Sequence, residues 1–186
     1  EDHFRLMVGT GAVKRDLSWI RNNCPEDADV VITDVTERFA VLGLSGPDSG
    51  RIADAIGAGW MNGIGYFQHT QGLIGDLAVR AARLSYVGEA GWELTCAAGD
   101  APPLFALLAE QGVHPVGAFA QTAMRIEKGF LAYGHDLDTD VTPQMAGLEF
   151  ALAADKDFIG KYGVGGGASS GKAAAEARLV SLNFTD

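Results

Sequence analysis

The stretch YVGEAGWEL (86–94) gathers two glycines, two carboxylates and two aromatic residues into nine positions. It interrupts an apolar, strand-like run that opens at Leu77 and reaches Cys96. In a strand, Trp92 and Glu93 point to opposite faces, and Tyr86 stands on the approach. An unpaired carboxylate is expensive to bury, so Glu93 needs a partner. A flat heterocycle with ring N–H and amino donors would supply one through charge-assisted hydrogen bonds. An arginine would serve as well, and Arg80, Arg83 and Arg125 are the candidates. Gly88 and Gly91 predict a tight corner between two strands, with Glu89 and Ala90 at its tip.

Other chemistry-bearing residues carry less. Gly166, Gly171 and Lys172 have the spacing of a phosphate loop, but Ala173 stands where the magnesium-binding hydroxyl belongs and no buried strand precedes them. A Gly/Ser connector accounts for residues 163–177 better. His3, His69, His114 and His135 form no i,i+4 pair and have no cysteine nearby, so no metal site is expected. His135 sits among the aspartates of YGHDLDTD, which lacks the glycine and distal glutamate of a calcium loop. LGLSGPD around Ser45 is not a G-x-S-x-G elbow, and a helix cap is the better use of that serine.

Composition narrows the partners. The chain of 186 residues has 14 Lys and Arg against 24 Asp and Glu, a net charge of −10. Phosphate neutralisation needs clustered cations, and the scattered arginines make no stripe, so nucleic acid is not an expected partner. No apolar run approaches the roughly 20 residues that span a bilayer, and the first residues have no signal-peptide pattern. The two cysteines, Cys24 and Cys96, make no framework, which fits reduced thiols in a cytoplasmic compartment.

The elements that position these residues follow from periodicity. FRLMV (4–8), DVVITDV (29–35), RFAVLGL (38–44) and GWELTCA (91–97) read as strands. The stretches 63–71 and 72–87 are strand-rich with glycine-marked turns. Val13, Leu17 and Ile20 predict a helix over 12–23. Ser45 and Pro47 predict the start of another that stops at Gly57. Asp100 is placed to cap a helix over 101–112. In the helix 118–129, Phe119, Thr122, Ala123 and Ile126 share a face and Gly129 makes the stop. Helices and strands do not alternate strictly, which predicts an α+β fold. Residues 1–162 form the main domain and 178–186 open a new strand, so both ends are expected to continue in a longer chain.

LSYVGEAGWELTC, MRIEKGFLAYGHDLDTDVTPQMAGLEFAL and DKDFIGK, with LGLSGPDS upstream, together resemble the folate-binding aminomethyltransferase family. That family includes the glycine-cleavage T-protein and the C-terminal halves of dimethylglycine and sarcosine dehydrogenases. The YVGE-x-GWE and R-x-EKG…GHDL forms look more like the dehydrogenase branch. The resemblance runs from about residue 1 to about residue 161.

It implies ferredoxin-like and Greek-key mixed sheets with helices, here without the N-terminal part and most of a C-terminal β-barrel. It implies tetrahydrofolate as cofactor, an amine or iminium donor, and 5,10-methylenetetrahydrofolate as product. In the dehydrogenase branch an FAD domain lies upstream as a partner. By motif, Glu93 resembles the carboxylate that holds the pterin, Tyr86 an aromatic contact in the same pocket, and Leu6 a first-strand position facing it. Two departures stand out. Gln121 occupies the place of a T-protein arginine. The family's catalytic aspartate falls upstream of Glu1, so no catalytic residue is expected within this chain. A non-catalytic folate-binding module and a folate-dependent demethylase of another methyl donor are the alternatives. An aspartate just upstream of Glu1 would favour the enzyme over the module.

Overall fold

A computed structural model of the chain describes residues 3–153, 155–161 and 179–180. Its centre is an antiparallel sheet of four strands: β1 (Phe39–Ser45), β2 (His69–Ile74), β3 (Leu77–Ala82) and β4 (Gly91–Ala97), in the order β1-β4-β3-β2. β4 is therefore internal, paired along its whole length with β1 and over Glu93–Thr95 with β3. β2 and β3 form a hairpin around Gly75 and Asp76, and Gly75 takes the positive φ of 58° that such a short turn requires.

Period-2 alternation divides the sheet into two unlike faces. Leu44, Ile74, Val79, Ala81, Trp92, Leu94 and Cys96 are buried on one of them. Two helices complete that core, α2 (Ser49–Ala55) through Ile52 and Ala53 and α3 (Ala101–Glu110) through Leu104 and Leu108. Met61, from the 3₁₀ segment Gly59–Gly63, is also fully buried and accepts a 3.1 Å hydrogen bond at its carbonyl from the Trp92 indole. The other face carries Phe39, Val41, Gly43, Glu93, Thr95, Ala78, Arg80, Ala82, Gln71 and Leu73 in register, and neither α2 nor α3 covers it.

The sheet with its helices establishes the α+β class. Helix α1 (Val13–Asn22) has Val13, Leu17 and Ile20 half-buried, with Asp16 in its first turn and Arg21 in its last, where the helix dipole favours each sign. Gly57 and Gly112 take positive φ just past the ends of α2 and α3. Helix α4 (Ala118–Lys128) stops at Gly129 in the left-handed region, with the Phe130 N–H returning to the Arg125 carbonyl at 2.8 Å.

Several expectations are corrected. Residues 4–8 and 29–35 form no strand, for neither segment enters the ladder of the described sheet. Their apolar side chains stay out: Leu6 is 70% exposed and Val31 more so. Ser45 ends β1 rather than capping α2, whose first residue is Ser49. Asp100 does precede α3, but its side chain makes no capping bond, and Pro102 and Pro103 suit the first turn instead. The predicted face of α4 is not a core face: Phe119 is 94% exposed, and Arg125 is the buried residue. The described four-stranded sheet is antiparallel throughout. The connector 163–177, with its phosphate-loop spacing, lies outside the described residues, as does nearly all of 178–186.

Candidate functional site

The chemistry converges on the uncovered face of the sheet. Glu93 stands there, half-buried, opposite Gly43 on β1 and Ala82 on β3. Neither neighbour has a long side chain, so the carboxylate rises beside a flat floor. A Cβ built on Gly43 would meet nothing within 4 Å. Glu93 has no hydrogen bond or ion pair among the described residues, and the three candidate arginines are placed otherwise. Arg125 pairs with Asp136. Arg83 lies over the Trp92 ring, 5.4 Å from its centroid. Arg80 faces Thr95 across the ladder, and its Nε is buried with no hydrogen-bond partner. An anionic acceptor beside a flat, open floor can take a planar ring edge-on through two N–H donors.

Two clefts open near β4, one reaching Thr95 and the other Gly91, and Glu93, between these two positions, lines neither. Toward Thr95, a cleft of about 510 Å³ runs over the sheet between Arg5, Phe39, Leu73 and Arg80. The Arg5 guanidinium stacks there on the Phe39 ring at 4.2 Å. Toward Gly91, a smaller cleft of about 270 Å³ lies between the 83–90 loop and the end of α4, lined by Tyr66, Arg83, Gly88, Glu89 and Lys128 among others.

The loop that shapes the smaller cleft is not the predicted tight corner. β3 ends at Ala82 and β4 begins at Gly91, so eight residues connect them. Gly88 takes φ of 82°, its N–H donates to the Ser85 hydroxyl at 2.8 Å, and the Lys128 methylenes fill the space of its missing side chain. The loop's far end is tied down by the Ala90 carbonyl, which accepts from the Gly46 N–H at 2.8 Å and the buried Ser49 hydroxyl at 3.1 Å. Gly91 is required by close approach, since a Cβ there would collide with the Leu44 carbonyl oxygen and the Ser45 Cα. Tyr86, in this loop, is 40% exposed and lines neither cleft. Leu6 lines neither as well, though its neighbour Arg5 lines the larger one.

Beyond the cleft, the aspartates of the 132–140 loop have a structural use. Asp136 accepts from the Ala132 amide at 2.9 Å and from Arg125. The amide first, and then the guanidinium, hold its carboxyl below the usual carboxylate range. No group of three or more His, Cys, Asp or Glu among the described residues could hold a metal ion. No described helix is long and apolar enough to cross a membrane. Burial pushes the Cys96 thiol up, with a smaller contribution from Asp100.

Gly43, Ala82, Tyr66 and Lys128 are the residues that sequence reasoning missed here, and Arg83, offered there as a partner for Glu93, lines the smaller cleft instead. Strand register, which a single sequence does not print, places the first two. The signal for Lys128 was Gly88, a glycine three residues before the strand rather than at a hairpin tip.

Comparison with known proteins identifies the family. The family model described as the GCVT N-terminal domain matches residues 1–156. The chain is 35% identical over 167 residues to the mitochondrial dimethylglycine dehydrogenase of Mus musculus, covering 85% of this chain and 19% of that protein. It is 38% identical over 162 residues to the aminomethyltransferase of Methylococcus capsulatus, covering 85% of this chain and 43% of that one. The aminomethyltransferase of Rubrobacter xylanophilus is 33% identical over 160 residues, with the same two coverages. The chain thus spans less than half the length of these aminomethyltransferases and a fifth of the dehydrogenase. With the match extending over most of its length, the chain belongs to the GCVT N-terminal domain family.

Proposed function

We propose that this chain is the tetrahydrofolate-binding part of an enzyme that transfers a one-carbon unit. The unit comes from a methylated glycine-type amine, or the iminium formed from it, and the product is 5,10-methylenetetrahydrofolate. The observation that carries the reading is Glu93: a carboxylate without a partner among the described residues, beside a floor of Gly43 and Ala82. A pterin presents an amino group and a ring N–H on one edge, which matches two oxygens of one carboxylate. Tyr86 and Leu6 are kept as cofactor contacts by family resemblance. So is a catalytic carboxylate outside this chain, which would handle the proton and stabilise the iminium under attack. In a dehydrogenase-type parent an FAD domain generates that iminium. A cytoplasmic setting is supported by two unpaired cysteines, one of them buried.

The test is Glu93→Ala in the intact protein. Losing two charge-assisted hydrogen bonds, on the order of 1.5–3 kcal/mol, weakens tetrahydrofolate binding at least several-fold by titration calorimetry. Unchanged affinity removes Glu93 from the role.

A further inference from the structure

The cleft at Gly91 holds two cations in a chain whose net charge is −10. Neither Arg83 nor Lys128 forms an ion pair among the described residues, although Glu89 lines the same cleft. Both are directed there by structure. Arg83 is fixed through its backbone, which exchanges hydrogen bonds with Gln68 at 2.9 Å and Phe67 at 3.0 Å, and through its guanidinium over Trp92. Lys128 leaves the last turn of α4 and lays its methylenes over Gly88, where any side chain would meet them. Lys128 thereby lines the cleft.

The opposite wall is aromatic and strained. Tyr66 lines the cleft, and Phe67 packs edge-on against it with ring centroids 4.4 Å apart. Phe67 is the one non-glycine residue with positive φ among the described residues, at 62°, and its ring is 74% exposed. A bulky residue in the left-handed region is a genuine outlier, and such outliers cluster where ligands are clamped.

Size and position say how much of a ligand fits. At about 270 Å³ the cleft falls below the usual range for a whole drug-sized ligand. Gly91, on its wall, lies two residues along β4 from Glu93, about 7 Å away by strand rise and beyond the last β3–β4 pair, Ala82 with Glu93. The cleft therefore suits the small anionic end of a ligand rather than the whole of one.

We infer that this cleft is a carboxylate subsite, in which Arg83 and Lys128 hold the anionic end of the ligand and the Tyr66 ring flanks the segment beside it. The inference rests on Glu93 as the ring acceptor. A carboxylate is carried both by the glutamyl tail of a folate and by an N-methylated glycine donor, and the two are separable.

The intact protein and its Lys128→Met, Lys128→Arg, Arg83→Gln and Glu93→Gln variants are titrated with three probes. Tetrahydrofolate has ring and tail, 6-methyltetrahydropterin has the ring alone, and N,N-dimethylglycine has the carboxylate alone. Thermal melts matched to the parent protein qualify each variant as folded. Lys128→Met and Arg83→Gln are expected to weaken tetrahydrofolate about 10-fold, the effect of one lost charge-assisted bond. Binding of 6-methyltetrahydropterin is unchanged, and Lys128→Arg restores the folate affinity. If the loss falls on N,N-dimethylglycine and spares tetrahydrofolate, the subsite stands with the amine donor as its ligand. Undiminished binding of both carboxylate probes overturns the subsite, and so does an equal loss of tetrahydrofolate and 6-methyltetrahydropterin. Glu93→Gln separates the two readings: retained 6-methyltetrahydropterin affinity there refutes the ring acceptor while the Lys128 comparison remains readable.

Discussion

The Arg125 guanidinium donates to the Asp136 carboxylate and, at 3.0 Å, to the Phe130 carbonyl, so a cation from α4 fastens the loop that follows the helix. Arg125 is 3% exposed. Asp136 also receives the Ala132 amide, which closes the loop on itself. The pair fixes the end of α4, and the end of α4 fixes Lys128.

Asp136→Ala leaves a buried guanidinium without its counter-ion. Such losses are costly because the remaining charge stays desolvated, and the partial exposure of Asp136 moderates the cost to about 2–3 kcal/mol. Urea denaturation followed by circular dichroism reads the change. A loss below about 0.5 kcal/mol, the scale of an ordinary surface substitution, shows that the pair does not fasten the loop.

The same carboxylate sets an acid dependence. Its folded pKa lies below the ordinary value because the Ala132 amide and Arg125 favour the charged form. A depressed carboxyl contributes stability that is complete above the unfolded pKa and is lost as pH falls through the folded one. Asp34, bonded by the Thr36 hydroxyl and amide, is shifted the same way. Stability should therefore decline below about pH 4, and Asp136→Asn should flatten that decline. An unaltered acid limb in the variant assigns the effect elsewhere.

Gly43→Leu tests the floor beside Glu93. The position is open, within a strand, and has no positive φ, so a larger side chain is tolerated and stability should change by less than about 1 kcal/mol. Pterin binding should fall by at least about 10-fold, because the side chain occupies the ring's place. Unchanged binding with an unchanged melt places the ring elsewhere.

Gly91→Ala should behave in the opposite way. Its Cβ meets backbone, the Leu44 carbonyl and Ser45 Cα, at the end of the β1–β4 ladder, and backbone cannot swing aside as a side chain does. A loss of about 2–4 kcal/mol is expected, read as a lowered melting temperature.

The cysteines should differ in reactivity. Cys96 is buried on the core face of β4 with its thiol pKa raised, while Cys24 is partly exposed. The thiolate is the reactive form. Under native conditions a maleimide should label Cys24 first and leave Cys96 until unfolding, as mass spectrometry of tryptic peptides will show. Rapid native labelling of Cys96 would mean that the core face opens readily.

How much of this was legible beforehand follows from what each element depends on. α1, α3, α4 and β4 have local signatures, periodic apolar residues with glycine or proline at their ends, and they form close to where periodicity puts them. Residues 4–8 and 29–35 have equally β-prone composition but no pairing partner in the described sheet, and a strand without a ladder is not one. The amphipathic pattern of α4 was real, yet the residue buried is Arg125, whose counter-ion lies in the next loop. Glu93 was recognisable as a carboxylate in need of a partner. That it stands between Gly43 and Ala82 is a matter of register, set on one side by a pairing across fifty residues of chain.

Trp92 makes the Gly91 cleft optically visible. Its indole N–H is engaged with the Met61 carbonyl inside the core, while its ring carries the Arg83 guanidinium at the cleft. A cation stacked on an indole shifts its emission, and any anion that draws Arg83 away changes that stacking. Of the three tryptophans, Trp19 is half in solvent and Trp60 lies against Gly72, so a double Trp19→Phe, Trp60→Phe background leaves one fluorophore as a label-free gauge of cleft occupancy.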